Sequence, residues 1–147
     1  MDALKPQQTI RLQRGVILYA RIALGTAFLS AVADRFGLWG KYGGWGNFAT
    51  FTHYTAQVNS FMPAATIPFL AWTATLAETA LGIALLIDIW PRYVALATAV
   101  LLALFGIAMA ISLGIKSPLD YSVFSASSAA LLLAFASPAA KTPLPNK

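Results

Sequence analysis

The sequence predicts an all-α protein, an integral membrane four-helix bundle with a short interfacial helix in its first external loop. Three observations carry that expectation. Of 147 residues, 59% are hydrophobic and only 10% charged, whereas a soluble domain carries about 25% charge. Four apolar segments approach the roughly 17–25 helical residues that a bilayer core requires. The Lys and Arg residues fall between those segments rather than gathering in one patch.

The first span covers 16–33 and contains one charge, Arg21; the second covers 67–87 and contains one charge, Glu78. The third, 93–113, is uncharged, and the fourth, about 119–137, is shorter but apolar after Asp120. Pro91 and Pro118 stand where a first helical position tolerates a missing N–H. Ser117, with Asp120 three residues on, resembles a capping box. Trp90, Tyr93 and Tyr121 are placed as interfacial aromatics. The external loop, 34–66, begins with Gly37, Gly40, Gly43, Gly44 and Gly46 interleaved with Trp39, Tyr42 and Trp45. It lacks the lysine and hydroxyl residue of a phosphate loop. Phe48, Phe51, Thr55 and Val58 then recur at helical spacing up to Met62-Pro63, which predicts a short helix on the outer interface. Residues 1–147 read as a single domain, with a disordered end after Ser137.

Charge placement predicts the orientation. With the N-terminus inside, Lys5, Arg11, Arg14, Arg92, Lys141 and Lys147 lie on the cytoplasmic side, and Arg35, Lys41 and Lys116 on the other. That asymmetry favours cytoplasmic N- and C-termini. Arg11, Arg14 and the run to Ala31-Val32-Ala33 imitate a signal peptide with its cleavage site, but Arg21 interrupts the apolar core, so a retained helix is expected.

The absence of cysteine excludes disulfides, thiolate metal sites, iron–sulfur clusters, c-type haem attachment and a catalytic thiol. His53 has no second histidine, so neither bis-histidine haem within one chain nor a metal site is expected. A formal charge of +5 comes without a clustered basic motif, so nucleic acid is not an expected partner. The lipid bilayer is the partner expected, and a second copy of the chain is able to use the Ser122, Ala126, Ala130, Ala134 stripe; any redox chemistry must use a diffusible carrier or a partner.

Arg21 and Glu78 are the sharpest feature, because each costs about 2.5–3.5 kcal/mol at a helix centre unless it faces protein or water. They are the candidate catalytic residues. At 1.5 Å per residue, Arg21 lies about 9 Å and Glu78 about 13 Å above the inner end of their spans. The long arginine could close that gap, although side chains lean toward their own helix N-terminus, which separates the two. Two readings stay open: an ion pair locking span one to span two, or a proton or anion site centred on Glu78. Asp34, Arg35, Lys116 and Asp120 converge on the outer rim as candidate substrate-binding residues for a small anion. The plainer reading is a solvated charge ring in which Arg35 pairs with Asp120 or Asp34, so that Arg35→Ala costs about 0–1 kcal/mol. No metal ligands are expected.

The stretch from Arg21 to Gly37 resembles the opening helix of DoxX-like proteins; Glu78-Thr-Ala-Leu-Gly-Ile-Ala-Leu-Leu resembles their second helix, and Lys116 to Ser127 the start of their last. The resemblance implies a bacterial inner-membrane four-helix protein. It implies an accessory subunit of a membrane-associated, quinone-linked redox complex, which anchors or assembles soluble redox proteins as partners. The alternatives are a self-sufficient quinone-dependent oxidoreductase acting on a small anion such as thiosulfate, and a small carrier lined by Ala71, Thr75, Glu78 and Gly82. Quinone is the one cofactor implied, none being covalently bound.

Overall fold

A computed structural model describes residues 6–136. The described residues form six α-helices: α1 Pro6–Arg35, α2 Phe48–Val58, α3 Ile67–Ile87, α4 Pro91–Leu113, α5 Lys116–Asp120 and α6 Val123–Ala136. Lys5, Lys141, Lys147 and the stretch after Ala136, all used in the sequence reading above, lie outside the described residues.

Three helices, α1, α3 and α4, are long and apolar enough to cross a membrane. The fourth expected span is different. It is divided into α5 and the 14-residue α6, separated by Tyr121 and Ser122, the latter with φ at 54°. At 1.5 Å per residue the described part of α6 covers about 21 Å of the roughly 30 Å bilayer core. The expected capping box is also replaced: no side chain caps α5, Pro118 is its third residue, and Asp120 pairs with Lys116 one turn earlier.

Helices α3 and α4 coincide closely with the second and third apolar segments, for identifiable reasons. Pro68 and Pro91 occupy the first turns of α3 and α4, where an N–H would have no intrahelical partner. Between them Asp88 and Trp90 take left-handed backbone angles, φ 62° and 42°. These angles reverse the chain within three residues. The loop helix α2 is present where the spacing placed it. Asn47 caps it, its side chain accepting from the Thr50 N–H at 2.9 Å, and Phe51, Thr55 and Val58 are its buried face.

Helices α1 and α3 run antiparallel in close contact, as do α4 and α6, and the two pairs meet along α1–α6 and α3–α4. Leu24, Phe28, Leu85, Val94, Leu102 and Leu133 fill the middle. The close approach of α1 to α3 requires glycine on both sides. A Cβ at Gly25 would meet the Gly82 carbonyl at 3.0 Å, and one at Gly82 would meet the Gly25 carbonyl at 3.1 Å. Gly25→Val is therefore expected to push the helices apart and cost about 1–3 kcal/mol, read as a lowered melting temperature in detergent; an unchanged value would contradict this packing. On α6, Ala130 and Ala134 are buried and Ala126 packs against the core. Ser122 stands outside the helix, so most of the small-residue stripe is consumed within the chain.

Candidate functional site

The charge brought deepest into the protein besides Glu78 is Arg35, the last residue of α1. Each is only 3% exposed. Arg35 donates from Nη2 to Glu78 Oε1 at 2.6 Å and from Nη1 to Thr75 Oγ1 at 2.9 Å. Thr75 itself donates to the Ala71 carbonyl one turn back. The guanidinium lies 3.8 Å from the centroid of the Phe51 ring and 5.6 Å from that of Trp45. Its Nε has no hydrogen-bond partner among the described residues. A buried ion pair is thus enclosed by α1, α3, α2 and the glycine-rich loop, with aromatic faces supplying favourable electrostatics where water is excluded.

This pairing corrects two expectations. Arg35 is not part of a solvated rim, and Glu78 does not pair with Arg21. Cα–Cβ bonds tilt toward the helix N-terminus, and α1 and α3 are antiparallel. Glu78 therefore leans toward the α2 end of the molecule, and Arg35 leans back to meet it. Arg21 leans the opposite way, to the C-terminus of α3. There it donates from Nε and Nη2 to the Leu85 carbonyl at 2.9 and 2.7 Å, and pairs through Nη1 with Asp88 at 2.7 Å. A cation on the last carbonyls of a helix complements its dipole and satisfies groups left without intrahelical partners. Arg21 and Arg35, 14 residues apart in one helix, stand about 21 Å apart along its axis.

The other rim candidates do not assemble around Arg35. Asp34 is held by the glycine-rich loop, its Oδ2 accepting from the N–H groups of Gly44 and Trp45 at 2.8 and 3.1 Å. A Cβ at Gly43 would run into Asp34 Oδ1, which explains glycine there. The loop wraps this carboxylate, and the wrapping lays Trp45 over Arg35. Lys116 and Asp120 pair with each other on the exposed surface of α5. No hydrogen bond or ion pair among the described residues joins them to Asp34 or Arg35. Nearby, burial and then the neighbouring Tyr121 raise the pKa of the Tyr54 phenol above its ordinary value.

Sequence reasoning missed Asp88, Phe51 and Trp45 as parts of these clusters. Asp88 could have been found as the first charge after an apolar helix whose end needs a cap. Around the Arg35 pair the aromatic residues form a continuous wall: Phe48 lies 4.4 Å from Trp72 and 5.8 Å from Phe36, ring centroid to centroid, and Trp45 lies 5.1 Å from Phe51. Phe36 and Trp72 are about half exposed.

Comparison with known families agrees with a membrane protein and changes the expected kinship. A family model described as methylamine utilisation protein MauE matches residues 13–120. The chain belongs to the MauE family. This overturns the expected DoxX membership; the resemblance rested on short, degenerate helix motifs that small, apolar membrane helices share widely. The MauE match spans most of α1 and all of α2 to α5, so it takes in Arg21, Asp34, Arg35, Thr75, Glu78 and Asp88, and α6 lies beyond it. No curated protein and no solved structure matches the chain.

Proposed function

We propose that this MauE-family chain is an accessory membrane protein of a redox-linked system, of the methylamine-utilisation kind its family is described by. In this reading it holds or assembles soluble redox partners rather than turning over a substrate by itself. The observation that carries the reading is the commitment of the buried charges. Arg35 and Glu78 are spent on each other and enclosed by aromatic rings, and Arg21 is spent on the end of α3. These are the arrangements of a braced scaffold, in which each charge would be costly without its partner. The test is purification in mild detergent followed by protein and quinone analysis. The expected result is a soluble redox protein recovered with the chain, no turnover by the chain alone, and growth on methylamine restored to a deletion strain by an Arg35→Leu, Glu78→Leu double variant that keeps the fold. Quinone reduction by the isolated chain would overturn it.

A quinone-contacting role is the second reading, supported by the half-exposed wall of Phe36, Phe48 and Trp72 beside the ion pair. Aromatic faces of this kind stack on flat rings. Trp72→Leu would then lower the quinone recovered with the complex without lowering the protein partner recovered with it.

The topology proposed is a bacterial inner-membrane protein with the N-terminus in the cytoplasm and α2 on the far side, as the charge asymmetry favours. The chain has no cysteine, so single cysteines introduced at Gln7, Asn47 and Ser117 report cleanly. In intact cells an impermeant thiol reagent is expected to label the positions at 47 and 117 and spare that at 7. Labelling at 7 would reverse the orientation.

A further inference from the structure

The loop after α1 is built as a lid. Gly40 and Gly46 hold φ at 53° and 70°, and a Cβ at either would meet nothing within 4 Å. The backbone conformation, not crowding, requires glycine there, so these are the positions at which the chain pivots most readily. Before Gly40 the loop is clasped to α1, where Trp39 Nε1 donates to the Ser30 carbonyl at 3.1 Å. After Gly46 it enters α2. Among the described residues, two hydrogen bonds hold 41–45 to α1, both accepted by Asp34 Oδ2, from the N–H groups of Gly44 and Trp45. That segment carries Trp45, whose ring lies over the Arg35 guanidinium and packs 5.1 Å from Phe51 and 5.7 Å from Tyr54, centroid to centroid.

The groups under the lid oppose its closure. Asp34 Oδ1 and Arg35 Nε are both buried and without a hydrogen-bond partner among the described residues, a costly state that water reaching them would relieve. We propose that 41–45 is a hinged lid latched by Asp34, and that releasing the latch admits water and small oxyanions to the unspent N–H of Arg35. Glycine-hinged loops that exclude water from a buried charge are a common means of gating access. The scaffold reading needs no such opening, so the lid adds a gate to the brace and stands or falls separately.

The cysteine-free chain makes this testable with iodoacetate, a small carboxylate, on the purified full-length protein. Thr75→Cys places a thiol beside Arg35, and Thr98→Cys, in a separate chain, places one at a fully buried site on α4. Asp34→Ala is expected to speed labelling at 75 about tenfold or more, the equivalent of one charge-assisted hydrogen bond, and to leave 98 unlabelled. A staple gives the reverse control. A Cβ at Gly43 would lie 3.2 Å from Asp34 Cγ, so Asp34→Cys with Gly43→Cys fits a disulfide. Oxidised, the staple should hold labelling at 75 to the rate seen with Asp34 in place; reduced, it should match Asp34→Ala. Equal labelling at 75 with the latch present, cut or stapled would refute the lid. So would labelling at 75 and 98 that rises together in both Asp34→Ala and the reduced staple, because Asp34 would then support the whole fold. If that happens in Asp34→Ala alone, the staple decides.

Discussion

Glu78→Leu, with Arg35 left in place, is expected to destabilise the protein by about 3–5 kcal/mol, because a guanidinium 3% exposed loses the carboxylate that neutralises it. Arg35→Leu is expected to cost a similar amount for the mirror-image reason. The double variant should regain much of the loss, since two leucines packed against Phe51 and Thr75 leave no charge to compensate. A double-mutant cycle read in melting temperature in detergent measures the coupling directly. Strictly additive losses would mean that the pair contributes nothing as a pair. The size of the effect separates this arrangement from a solvated rim, where an exposed arginine would be worth about 0–1 kcal/mol.

The second large effect lies at the opposite end of α1. Arg21→Leu removes the donors that satisfy the Leu85 carbonyl, and charge-assisted hydrogen bonds of this kind contribute about 1.5–3 kcal/mol each. Its carboxylate partner matters much less. Asp88 is 56% exposed, so Asp88→Asn should cost about 0–1 kcal/mol. Arg21→Leu and Glu78→Leu share no partner and should combine additively, within about 0.5 kcal/mol. A coupling well above that would restore the direct Arg21–Glu78 contact that the structure replaces.

These two results also mark where the sequence was readable. The helical nature of the chain, the bounds of α3 and the existence of α2 follow from local signals: apolar length, Pro68 and Pro91 at helix starts, and the recurrence of Phe51, Thr55 and Val58. Glu78 stood out because a carboxylate within an apolar helix needs a partner. Which partner it takes depends on how α1 sits against α3, and sequence spacing does not contain that register. The lean of side chains toward the helix N-terminus already argued against Arg21, but Arg35 at the end of a span looked like a rim charge. Only the folding of the glycine loop around Asp34 puts Phe51 and Trp45 over it. The division of the last apolar segment at Ser122 was hidden too, because no glycine or proline marks a residue with φ at 54°.

The reciprocal contact of Gly25 and Gly82 has a mechanical meaning. It pins α1 to α3 near the middle of their shared length, while Arg21 fastens one end and Arg35 the other. A rod held at three points resists both sliding and rotation. The α4–α6 pair is joined differently: its one side-chain hydrogen bond among the described residues runs from Ser127 Oγ to the Ala99 carbonyl, and the buried Thr98 hydroxyl on α4 makes none. The two halves of the molecule are therefore held by different means: α1 and α3 by ion pairs and a glycine contact, α4 and α6 by apolar packing in which the Phe124 ring lies against Gly106.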